Sequence, residues 1–186
     1  MHLISRKDRS GGRSSSGQSL VEAMLAISIL TMGFMGIFAL LSKSFFLGRV
    51  VANQTTAIYL ASEGIEIAKN LIDHDVYVYL AGGGGGWGSC FNVAAGGFKD
   101  FQMDYMTTSC SPPFFANPPA PLKLDPVTHL YNYTTGADTT YVRRIRITVP
   151  NSNPSEIVVN SIVTWSTGPI TSQSINIEDH FYNWHP

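Results

Sequence analysis

The chain has 186 residues, 13% of them charged, and a formal net charge of −1; an ordinary soluble domain has about 25% charged residues. That length holds one domain plus an appendage, and the slightly negative total gives no global electrostatic ground for a nucleic-acid partner. The average hides a division, because Arg6, Lys7, Arg9 and Arg13 stand against Asp8 in positions 1–17, and the rest is mildly acidic.

After this basic head comes an apolar run. Ala23 to Ser42 contains no charged side chain, and Leu20 and Val21 precede it. About 20 apolar residues in a helix span the hydrocarbon layer of a membrane. Ser28 and Thr31 cost little there, because their hydroxyls bond back to helix carbonyls. Basic residues are denser before the run than after it, where only Lys43 and Arg49 follow closely. The positive-inside bias therefore places the N-terminus in the cytoplasm and the remainder outside. The run exceeds the roughly 7–15 apolar residues of a secretory signal peptide. Two readings remain. One is a plain anchor with Glu22 at the headgroup level. The other is a segment cut in front of the run, since acids within spans are uncommon and tend to be functional.

The residues around Glu22 carry a resemblance. "SGQSLVEAMLAISIL", from Ser16 to Leu30, resembles the N-terminal signal of type IV pilins and pseudopilins. In that family a short basic leader ends in Gly, a peptidase cuts after it, and Glu is the fifth residue of the apolar helix. Gly17, Gln18 and Glu22 occupy these positions. The resemblance implies cleavage by prepilin peptidase between Gly17 and Gln18. It implies N-methylation of Gln18, although the family most often has Phe there. It also implies filament assembly through Glu22, which meets the new N-terminal amine of a neighbouring subunit. An unpaired charge in lipid is costly and a paired one is tolerable, so such an acid acts as a register pin. The implied partners are the membrane, the peptidase and other pilin subunits. The implied place is the bacterial cytoplasmic membrane, crossed once, with the head outside. A membrane-tethered protein without a filament is the alternative.

Beyond the span, Leu47, Val51, Gln54, Ile58, Ala61, Ile65, Ala68 and Ile72 alternate steps of four and three, the mark of an amphipathic helix. Asn53, Glu63, Glu66, Lys69 and Asn70 lie on the opposite face, and no proline interrupts positions 18–75. The helix is therefore predicted over 18–75, with 20–42 in the membrane, and a head over 76–186. Gly33 and Gly36 are where it would loosen most readily. In the head, the glycine run within 81–97 reads as a mobile loop, since it lacks the Lys-Ser/Thr ending of a phosphate loop. The proline-rich stretch 111–126 reads as an irregular loop.

Phe98 to Tyr105 reads as a strand. "RIRITV" (Arg144 to Val149), "EIVVNSIVTWS" (Glu156 to Ser166) and Ser174 to Glu178 alternate apolar and polar residues and are separated by turns, which predicts an antiparallel β-meander over 141–178. Its apolar face would cover the helical stripe. The fold class is thus α+β, a long N-terminal helix on a small antiparallel sheet, as in the pilin family.

Cys90 and Cys110 both fall on the predicted exterior side, where disulfides persist. A bridge between them would join the glycine loop to the proline loop. No HExxH, CxxC or GxSxG occurs, so neither a catalytic residue nor a metal or cofactor is expected. Asp179, His180 and His185 match no metal-ligand spacing, and Asp125 and Asp138 lack the ordered acidic pattern of a calcium loop. Arg143, Arg144 and Arg146 raise a second reading, a DNA-binding pilin, because Arg144 and Arg146 share a strand face within reach of adjacent phosphates. Two or three arginines on an acidic body make a small footprint, and a solvated face or an intersubunit ion pair is the simpler account of them.

Overall fold

The computed structural model describes residues 16–108, 119–167 and 172–184. The protein joins one long helix to an antiparallel sheet. Helix α1 covers Ser16–Leu80. The chain divides into two compact units, Met1–Arg49 and Val50–Pro186, and α1 contributes to both.

In the first unit every described side chain from Gly17 to Arg49 is exposed. Ser28 Oγ donates to the Met24 carbonyl at 2.7 Å, and Thr31 Oγ1 to that of Ser28 at 2.9 Å. These bonds satisfy hydroxyls that lie in an apolar stretch. Gly33 and Gly36 are helical.

In the second unit α1 packs on the sheet. Strands β1 (Phe98–Phe101), β5 (Val142–Thr148), β6 (Glu156–Ser166) and β7 (Ser172–Tyr182) form a four-stranded sheet in the order β1-β5-β6-β7. All its pairings are antiparallel. The predicted meander is present as β5-β6-β7: β6 has its predicted bounds, β5 begins two residues earlier and ends one earlier, and β7 runs further at both ends. The strand predicted over 98–105 stops at Phe101, because Asp104 turns inward. Its carboxylate accepts the backbone N–H groups of Met106 and Tyr133, both at 3.0 Å. A second small sheet was not foreseen. It holds β2 (Lys123–Leu124) between β3 (Tyr131–Asn132) and β4 (Ala137–Asp138). Two-residue strands carry no period to read.

The helix ends where a glycine permits it. The Gly83 N–H reaches the Val78 carbonyl at 2.9 Å and that of Gly82 reaches Tyr79 at 3.1 Å. Gly82 has φ of +83°, the left-handed conformation of a Schellman cap. The glycine run that follows is tied back to the helix. Asp75 is 4% exposed, and its carboxylate accepts from Ser89 Oγ at 2.7 Å and from the Cys90 N–H at 3.0 Å.

Two apolar clusters make the core. One gathers Ile65, Ala68, Leu71 and Ile72 of α1 with Phe91, Phe101, Met103, Ile145, Ile147, Ile157 and Val159. The other gathers Ala57, Leu60 and Ala61 with Leu122, Tyr141, Val163 and Trp165. The predicted helical stripe is correct from Ala61 onward and misplaced before it. Val51 is 60% exposed, Leu47 52% and Ile58 38%, while Ala57 and Leu60 face the sheet instead. Asn53, assigned to the outer face, accepts at its side-chain oxygen from Tyr141 Oη at 3.3 Å. Small Ala57 admits the close approach of Tyr141 and Trp165, and a period read from large residues alone shifts the phase.

Candidate functional site

The expected assembly segment begins at Gly17 and Gln18, both helical and exposed. Glu22 lies one turn further on, also exposed, and has no ion-pair or hydrogen-bond partner among the described residues. Around it stand Leu20, Val21, Met24, Leu25 and Ile27, all more than half exposed. The helix is long and apolar enough to cross a membrane by length and composition, and none of the described residues covers this stretch. A segment apolar on all sides is stable against lipid or against other such segments, not against water.

The three arginines of β5 separate into two sets. Arg143 is fully buried. It donates to the Leu60 carbonyl of α1 at 2.9 Å and the Met103 carbonyl at 2.7 Å, with Glu63 Oε2 at 3.4 Å. Its place among outward-facing DNA contacts is therefore corrected, because strand alternation puts it beside Ile145 and Ile147 on the helix-facing side. Arg146 forms a two-pronged pair with Asp100 of β1, at 2.7 and 2.9 Å, and its guanidinium lies 4.2 Å from the centre of the Phe98 ring. Arg144 shares that carboxylate at 3.7 Å. The Asp100 bond holds the Arg146 guanidinium more firmly charged than usual.

Arg143 belongs to a polar seam between the two apolar clusters. Ser161 of β6 is fully buried next to it, and Gly64 of α1 lies directly above. A side chain on Gly64 would strike Ser161 Oγ and come within 3.2 Å of Arg143 Cδ. Sequence reading missed this seam. Its signal was present, in a serine and an arginine on the apolar faces of two alternating strands and a glycine in the helical stripe.

On the outer face of β6 and β7, His180 contacts two carboxylates. Nδ1 lies 2.6 Å from Glu156 Oε1, and Nε2 lies 3.2 Å from Glu178 Oε1. These bonds, that to Glu156 first, raise the His180 pKa above its ordinary value. Glu156 is held below the usual carboxylate range, chiefly by His180. Asp125 is likewise lowered, by the backbone N–H groups of Val127 and Thr128. Among the described residues no group of three or more His, Cys, Asp or Glu side chains is arranged to hold a metal.

Cys90 is partly buried after the glycine run. Cys110 and His185 lie outside the described residues, and so do the expected Cys90–Cys110 bridge and any contact to His185. No protein-family model, curated protein or solved structure matches the chain.

Proposed function

We propose that this chain is a structural subunit, a minor pilin or pseudopilin, of a type IV pilus or a type II secretion-like filament. One observation carries the reading. From Gly17 to Arg49 a wholly exposed helix holds a single acid, Glu22, and it continues as α1 into a folded head. Such a surface needs a lipid phase before assembly and neighbouring helices after it.

In this reading the basic segment 1–17 is a leader that keeps the N-terminus in the cytoplasm. Prepilin peptidase cuts after Gly17, and the head stands outside the bacterial cytoplasmic membrane. The amine freed on Gln18 is the counter-ion that Glu22 of an adjacent copy lacks until then. A carboxylate costs about 2.5–3.5 kcal/mol at mid-membrane on the insertion scale and less near the interface, where Glu22 lies, so a neighbour that supplies a cation is selected over one that does not. Gln18 is methylated or cyclised after the cut; cyclisation removes the charge and weakens the pairing.

N-terminal mass spectrometry of the membrane-extracted protein tests the first step. The expected terminus is Gln18. Fibre incorporation of Glu22→Ala tests the second, and a strong loss is expected. A chain that begins at Met1, with Glu22→Ala still incorporated normally, overturns the proposal.

A further inference from the structure

The head carries a groove of about 470 Å³ beside α1. Ile67 and Leu71 form its apolar floor, and Glu63, Glu66, His74 and Asp104 stand along its walls. No lysine or arginine is among the described residues that line it. Two of the acids are engaged internally, Glu63 near Arg143 and Asp104 with the N–H groups of Met106 and Tyr133. Glu66 is exposed, with only the surface contact of Lys69 at 3.8 Å. A groove of this kind suits an apolar side chain flanked by cations.

The chain itself contains such a segment. Between Glu22 and Glu63 the only charged residues are Lys43 and Arg49. On a helix with 100° per residue, positions 43, 46 and 49 fall about 60° apart, with Phe46 in the middle. Phe46 is 55% exposed, and Lys43 and Arg49 are exposed on either side of it. We infer that the groove of one copy receives the Lys43–Phe46–Arg49 face of another copy. Phe46 lies over Ile67 and Leu71, and the cations face the acidic wall, where Glu66 is the exposed partner. A second copy is the occupant because charge and apolar pattern match on both sides, and because none of the described residues of its own chain covers Phe46. The contact rests on the filament reading and deepens it, naming where a neighbouring helix meets the head.

The test replaces Phe46 by the photoreactive benzoylphenylalanine in the full-length chain in its own cells. After irradiation the adduct is mapped by mass spectrometry. The expected product joins two copies, with the adduct between 63 and 74 or between 104 and 108. In parallel, Lys43→Glu with Arg49→Glu lowers fibre incorporation by about two- to thirty-fold, the range for the loss of two exposed ion pairs, and added Glu66→Lys restores part of it. Adducts within one chain, with another protein, with lipid, or only between segments 17–49 of two copies overturn the inference. So does a charge reversal without effect. The terminus at Gln18 and the dependence on Glu22 are read in the same cells. If both hold and the adduct lies elsewhere, this contact alone fails. If both fail, the filament reading falls, and the mapped adduct still decides whether two copies meet here.

Discussion

One helix lives under two regimes. Between Gly17 and Arg49 no residue is buried, and between Ala57 and Asp75 every turn has at least one that is. The first stretch is apolar on all sides and contains one acid. The second alternates small or branched apolar residues with Glu63, Glu66, Lys69 and Asn70. The difference teaches that apolar content alone does not say where a helix is buried. An all-round apolar surface needs a surrounding medium, whereas a stripe needs one facing element. Here the facing element is the inner side of β5 and β6.

The comparison breaks most readily at the seam. Arg143→Ala opens a cavity and leaves the buried Leu60 and Met103 carbonyls without their donor and the partly exposed Glu63 without its cation. The expected cost is about 3–5 kcal/mol, read by denaturant unfolding of the detergent-extracted protein. Arg143→Met fills the space without a charge, and is expected to cost clearly less. Equal losses in both variants would contradict this account of the seam.

Smaller effects follow from close packing and from the loop tie. Gly64→Ala forces α1 away from Ser161 and Arg143, at about 1–3 kcal/mol. Ser161→Ala alone is expected to be near neutral, because its buried hydroxyl makes no hydrogen bond among the described residues. Combined with Gly64→Ala it should relieve part of the loss, and strictly additive values would argue against the contact. Asp75→Ala leaves the Cys90 N–H without its acceptor, at about 1–3 kcal/mol. Faster proteolysis within the glycine run 82–86 is the sharper reading of that variant.

The pH dependence of the head sharpens the picture further. The His180 pKa is raised on folding, so its contribution is fully present below the unfolded value of about 6.5 and is lost as pH rises through the folded value. Glu156 and Glu178 are lowered; their contribution is present above the unfolded carboxylate value and fades as pH falls through the folded one. Stability therefore peaks on the acidic side of neutrality. His180→Gln should flatten the alkaline limb, and an unchanged slope above pH 6.5 would remove the histidine from the explanation. The smallest effect belongs to the other regime. Leu40 is 72% exposed, so Leu40→Ala should leave head unfolding within about 0.5 kcal/mol.

Much of this architecture was legible beforehand. The bounds of β6 follow from its alternation, since one face of an antiparallel strand must be apolar when a helix covers it. The helix extends five residues beyond its predicted end, to Leu80, because Val76, Tyr77, Val78 and Tyr79 carry no stop signal before the glycines. The phase of the stripe before Ala61 was not legible. Small residues and Asn53 make contacts there that only the partner strand defines.

The sequence by itself determined the apolar helix, its lone acid behind a glycine, and the meander. These follow from local composition and from periods of 3.6 and 2, which depend on neighbours along the chain. Tertiary structure alone decided that Arg143 lies inside while Arg144 and Arg146 pair with Asp100, and that Gly64 seats a helix on Ser161. Burial of a polar side chain is tolerable only where partners from distant positions arrive with the right geometry. No pattern within a single strand encodes which partners those are.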